Sequence, residues 1–140
     1  MTWYVAAILS AIFAALTSIL AKIGIKNVDS NLATAIRTSV ILIFTWGIVF
    51  SQKTLGQINN ISKNSWIFLV LSGVATGLSW LFYFYALKMG EASKVVPIDK
   101  LSLVLTIIFA TIILHEKFTL QIAFGAILMT IGTLVIAFAK

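Results

Sequence analysis

Five stretches of mostly apolar residues, at 3–23, 32–50, 66–88, 95–114 and 120–139, are separated by charged or polar turns. A bilayer core is crossed by about 20 apolar residues of helix. Hydrocarbon offers a backbone N–H or C=O no partner, so each stretch is predicted to be a membrane-spanning helix. Of 140 residues, 61% are hydrophobic and 10% are charged. That is too little charge to coat a water-soluble domain of such apolarity. The expected fold class is therefore an all-α integral membrane protein of five transmembrane helices. The first stretch lacks a basic n-region and a small-residue cleavage site followed by polar sequence, so it is expected to be a retained helix rather than a signal peptide. A single proline and the lack of any Ser/Gly-rich tract leave no linker, and 1–140 is expected to form one domain.

The net charge of +6 would point to nucleic acid in a soluble protein. Here the lysines stand at the ends of apolar runs, where they snorkel to headgroups or set orientation. The expected partner is the lipid bilayer, not nucleic acid. There is no cysteine, which removes disulfides and thiolate metal ligands. His115-Glu116 opens no zinc motif, because Thr119 stands where a second histidine would be needed. With no histidine–carboxylate cluster and no nucleophile elbow, no catalytic residue, metal or cofactor is expected, and the chain is not expected to be an enzyme.

Five spans put the two ends on opposite sides. Lys53, Lys63 and Lys117 fall on the N-terminal side; Lys22, Lys26, Arg37, Lys88, Lys94, Lys100 and Lys140 fall on the other. That excess predicts a C-terminus on the cytoplasmic side of the plasma membrane. Setting aside Lys22, Arg37 and Lys100, which the spans can embed, leaves four against three. So weak a bias leaves room for both orientations.

In the first span Ala7, Ala11, Ala15 and Ser18 share one face, a packing stripe, with Lys22 at its end. The second has Asn31, Thr34 and Thr38 on one side and Arg37 about one and a half turns in; that arginine can snorkel outward or line a cavity. Between 51 and 64 lies the one sizeable polar loop, where Leu55, Ile58 and Ile61 recur as in a short turn on the membrane surface. The third span carries Gly73 and Gly77 as a helix-packing GxxxG pair beside Ser72, Thr76, Ser79 and Tyr83. Such a polar stripe is expected to face protein or water. Trp80 stands near mid-span in an aromatic run; Trp80 and Tyr83 adjoin the stripe, which makes them cavity candidates.

The fourth span opens with Pro97, suited to a first turn or a kink. Asp99, Ser102 and Thr106 are expected on one face, with Lys100 about a hundred degrees away and not paired with Asp99. Asp99 either favours the helix N-terminus near water or lines a cavity, where it would be a candidate for a coupling proton. The last span is poor in polar groups; Gly125 and Gly132 mark it as a packing element.

Several of these residues together resemble the EamA family of the drug/metabolite transporter superfamily. They are Tyr85-Ala86-Leu87, the turn from Gly90 to Ser93, Val96-Pro97-Ile98, Leu114-x-Glu116-Lys117, and Gln121, Gly125 and Gly132 at the spacing of that family's terminal helix. The resemblance covers all five spans and is strongest from Gly73 onward. It implies transport of small metabolites or drugs, commonly by ten helices in two inverted five-helix repeats, of which this chain looks like one. A single repeat recovers that plan by pairing antiparallel with a copy of itself. The four-helix relatives rely on a glutamate in the first helix, which here has no acidic residue, so their proton-coupled cation exchange is not carried over.

The expected function is thus carriage of a small solute (an organic acid, amino acid or drug-like molecule) by an antiparallel homodimer through alternating access. Trp80, Tyr83, Asp99, Ser102 and Thr106 are the expected lining, with Arg37 and Lys100 as further candidates. Cations outnumber carboxylates within the spans, which favours an anionic or zwitterionic substrate. The alternative is a non-transporting membrane subunit, or one half of a heterodimeric transporter.

Overall fold

A computed structural model describes residues 2–139. Lys140, counted above among the cations, lies outside them. The elements are α1 (Trp3–Gly24), α2 (Ser30–Ser51), a 3₁₀ helix (Leu55–Asn60), α3 (Lys63–Met89), α4 (Ala92–Asp99), α5 (Leu101–Ile113) and α6 (Leu120–Ala137). No strand occurs among the described residues. Among the same residues five segments are long and apolar enough to cross a membrane, α4 and α5 together forming one span over Ala92–Ile113. The expected spans are all present, and between the second and third the residues expected to form a short turn are a 3₁₀ helix.

Local chemistry ends these helices where it does. Asp29, extended at φ −62 and ψ 139, caps α2 by accepting from the N–H of Asn31 at 2.9 Å and of Leu32 at 3.1 Å. At the other end of α2, Lys53 takes φ 55. Its N–H bonds the Phe50 carbonyl and that of Thr54 bonds the Val49 carbonyl, each at 3.2 Å. This is a Schellman closure built without glycine, and a left-handed non-glycine residue costs roughly 1 kcal/mol. His115, after α5, is also at φ 55, and there the chain turns back to bond both Leu114 N–H, at 3.0 Å, and Glu116 N–H, at 3.2 Å, to the Ala110 carbonyl. Thr119 caps α6 through the N–H of Ile122.

The fourth span departs from expectation. It starts earlier, at Ala92, and is broken at Lys100, which sits at φ −70 and ψ −6 between α4 and α5. Pro97 lies inside α4 and has no N–H to give the Ser93 carbonyl, which weakens the helix just before the break. Across it, the Lys100 N–H bonds Val96 and the Leu103 N–H bonds the Lys100 carbonyl at 3.0 Å, a tightened turn. The expectation that Asp99 and Lys100 are unpaired is corrected: Lys100 Nζ lies 3.3 Å from Asp99 Oδ2. A hundred degrees per residue describes a regular helix. At a break the long lysine stem is free to reach its neighbour.

The helices group into two compact units, one of α1 up to Leu20 with α4, α5 and α6, the other running Ala21–Lys88. In the first, α4 and α5 both pack against α6. In the second, Ile25, Phe84 and Leu87 are buried with Ser30 and Thr34. Lys22 Nζ, at the end of α1, donates to the Leu87 carbonyl near the end of α3 at 2.5 Å. That bond satisfies a carbonyl the helix end leaves open and holds the lysine against α3.

Candidate functional site

Hydroxyls inside the spans turn out to be mostly self-satisfied. Thr34, Thr38, Thr76, Thr106, Thr111 and Thr130 each donate to the carbonyl four residues back, at 2.7–2.9 Å. A threonine bonded in this way presents its methyl outward and costs little against lipid. The expectation that the Ser72–Thr76–Ser79 stripe must face protein or water is therefore weakened for Thr76, and Thr106 is likewise bonded within its own helix, to the Ser102 carbonyl. All of Ser72, Thr76, Ser79, Ser102 and Thr106 are exposed on the chain. Hydroxyls alone do not make a wet cavity here.

Arg37 is a different case. It is the eighth residue of α2, about 10 Å from that helix's start at 1.5 Å per residue. On α3, Trp80 and Phe84 are four residues apart and so share a face. The Arg37 guanidinium carbon lies 4.4 Å from the Trp80 ring centroid and 5.4 Å from that of Phe84. Phe84 is buried, while Arg37, Trp80 and Tyr83 are half-buried. Tyr83 meets Phe84 edge-on, with ring centroids 6.2 Å apart. Among the described residues no carboxylate lies within ion-pair distance of Arg37; the ion pairs are Lys94–Glu91 and Lys100–Asp99.

Magnitudes say how this charge is held. An arginine well inside a spanning helix costs about 3 kcal/mol on insertion scales. A desolvated cation–π contact returns about 2 kcal/mol, less where water reaches it. Stacking offsets much of the cost but leaves a positive charge with no carboxylate at ion-pair distance among the described residues. In the other unit Asp99 and Lys100 compensate each other at the α4–α5 joint, their side chains 32% and 47% exposed. Of Arg37 and Lys100, the two cations among the candidate site residues, it is Arg37 that keeps the capacity to take an anion.

The structure thus gathers Arg37, Trp80 and Tyr83 in one unit, and Asp99, Lys100, Ser102 and Thr106 in the other. Phe84, which the sequence did not single out from the aromatic run, is the second ring under the guanidinium. Its signal was the i, i+4 spacing from Trp80. Gly73, Gly77, Gly125 and Gly132 meet nothing: a Cβ built on any of them finds no heavy atom within 4 Å. Among the described residues, then, no helix approaches any of them closely enough for a Cβ to matter. A separate open hollow of about 540 Å³ lies at the far end of α2, lined by Trp46, Val49, Thr54, Gln57, Ile58, Asn60 and Ile61.

At the near end of α2 the exposed Asp29 carboxylate is held below the ordinary aspartate value, chiefly by the N–H of Leu32. Desolvation opposes this, while the N–H groups of Asn31 and Ser30 and the positive charge of Lys88 add to it. A carboxylate depressed on folding contributes stability above its unfolded pKa, and loses it as pH falls through the folded value. The Asp29→Ala protein should therefore show faster amide exchange at Asn31 and Leu32 near neutral pH. Its difference from the parent should vanish once the medium is acidic enough to protonate Asp29.

Comparison with known proteins bears on what such a chain does. The family described as EamA-like transporter family matches residues 1–138. An "Uncharacterized transporter in cobO 3'region" from Sinorhizobium sp. is 45% identical over 136 residues, a match covering 97% of this chain and 96% of that protein. No solved structure matches.

Proposed function

We propose, because this chain belongs to the EamA-like transporter family, that it carries a small anionic or zwitterionic solute, an organic acid or amino acid, as an antiparallel homodimer working by alternating access. It is a multi-pass membrane protein. The observation that carries the choice of substrate is Arg37, a cation inside a spanning helix, stacked on Trp80 and without a carboxylate partner among the described residues. A substrate carboxylate supplies the missing negative charge, and the guanidinium fork binds it with two parallel hydrogen bonds. Trp80, Tyr83 and Phe84 form the wall on which that fork is presented. Asp99, the one carboxylate within the spans, is the proposed carrier of a coupling proton. Taking that proton ends its pairing with Lys100 at the joint where the fourth span is already broken.

Pairing with a second copy is supported by α3. Residues 62–79 of the chain are all exposed, a stretch that includes Gly73 and Gly77. Small residues on an uncovered spanning helix let another backbone approach closely. The near-balance of loop cations permits the copies to insert in opposite senses. The same face suits a different five-helix partner, which is the heterodimer reading. We assign the protein to the plasma membrane, with the C-terminus cytoplasmic in the favoured orientation.

The experiment is uptake by purified protein in liposomes, offered radiolabelled amino acids and dicarboxylates in one arm and tetraphenylphosphonium in another. Accumulation of an acid supports the reading. Accumulation of the organic cation alone overturns the substrate's sign.

A further inference from the structure

Trp80 and Phe84 present two ring faces on one side of α3, and both centroids lie within the roughly 6 Å over which a cation is attracted to an aromatic face. Tyr83 stands edge-on to Phe84 beside them. This is the chemistry of a receptor for an organic cation, except that the cation already present is the chain's own. We propose that α2 and α3 form an aromatic seat for guanidinium-class and small quaternary cations that Arg37 occupies as a built-in ligand, so that Arg37 excludes such cations from this protein. The exclusion acts twice, by filling the space against the rings and by repelling a second positive charge brought close to it. The seat lies wholly within the unit running Ala21–Lys88, and it stands or falls independently of whether the chain transports anything.

Three features of the site point to occupancy rather than incidental contact. The guanidinium lies nearer to Trp80 than to Phe84, and Trp80 is farther from the end of α3. An arginine merely reaching for headgroups would favour the ring nearer the helix end. No carboxylate among the described residues competes for it. Trp80 is also the ring type with the strongest attraction for a cation.

Removing the side chain should vacate the seat and let a free cation take its place. The test is calorimetric titration of methylguanidinium, and separately of tetramethylammonium, into purified full-length protein in detergent, with sodium chloride at equal ionic strength as control. The parent is expected to bind neither, and Arg37→Ala to bind methylguanidinium at least ten-fold more tightly than the parent does. Adding Trp80→Ala to that variant should abolish the gain. Arg37→Met keeps much of the aliphatic length without the charge and asks the same question if the alanine protein fails to fold. A variant with parental helix content and elution that binds no methylguanidinium overturns the proposal. So does a parent that binds as tightly as the variant, or a gain that survives loss of Trp80. Because no transport is read, failure of the uptake experiment above leaves this result interpretable, and the reverse holds too.

Discussion

Arg37→Gln protein, reconstituted in liposomes, is expected to lose anion uptake by about a hundredfold while inserting at least as well as the parent. Truncating one partner of a desolvated, hydrogen-bonded charge pair costs about 2–5 kcal/mol, and about 2.7 kcal/mol corresponds to two factors of ten. Glutamine keeps much of the volume and loses the charge. Membrane insertion moves the other way, because the cost of placing a cation in the span disappears and the lost stacking is smaller than that cost. Arg37→Lys should fall between the two. A lysine brings the charge back as a compact ammonium, without the planar fork that lies over Trp80 and grips a carboxylate at two points. A loss of about ten-fold is expected for it. Initial rates of uptake at matched protein density, with circular dichroism as the check on folding, distinguish these outcomes. Undiminished uptake by the glutamine protein would remove Arg37 from the site.

Gly77→Leu protein is expected to lose both dimerisation and transport although its own fold gains. A Cβ at Gly77 meets no heavy atom within 4 Å among the described residues, so a side chain leaves the backbone there into open space. Leucine is a better helix former than glycine by most of about 1 kcal/mol, which strengthens α3. A substitution that helps the isolated helix and harms the protein must act on something outside the chain. Where a second copy packs against α3, a leucine holds the two backbones apart and forfeits the close contacts on which membrane helices depend. Cysteine crosslinking along α3 and light scattering in detergent should both register a shift from dimer to monomer of ten-fold or more. Gly73→Leu, one turn away on the same face, should act alike, and Gly125→Leu on α6 serves as the comparison. Dimers that persist with leucine at both positions of α3 would move the interface elsewhere.

Much of the architecture was legible before any coordinates, and the reason is the solvent. Hydrocarbon forbids unsatisfied backbone, so an apolar run long enough to cross it has one available conformation. Residues such as Ile8, Phe68 and Leu120 needed no partner in the chain to justify their apolarity, and they are exposed. The capping of α2 by Asp29 was not read in advance, nor was the left-handed turn at Lys53. Each depends on backbone angles that no residue type enforces alone. The break at Lys100 was half visible. Pro97 announced a kink or a start, but where the helix resumed depended on which carbonyls found donors afterwards.

The candidate site divides along the same line. That Arg37 was costly in its span could be read from charge and position. What compensated it could not, because Trp80 and Phe84 belong to a different helix far along the chain, and their approach is made by packing. The hydroxyl stripes drew attention in the sequence, and the structure turned much of it away, since a threonine in a helix can bond its own backbone. Composition and periodicity thus determined that this chain crosses a membrane five times as helices, and membership of the EamA-like transporter family follows from sequence alone. Tertiary structure decided which of its charges is compensated and by what. Hydrophobic transfer is summed residue by residue along a chain, whereas the partner of a buried charge is a matter of which distant groups come within a few ångströms.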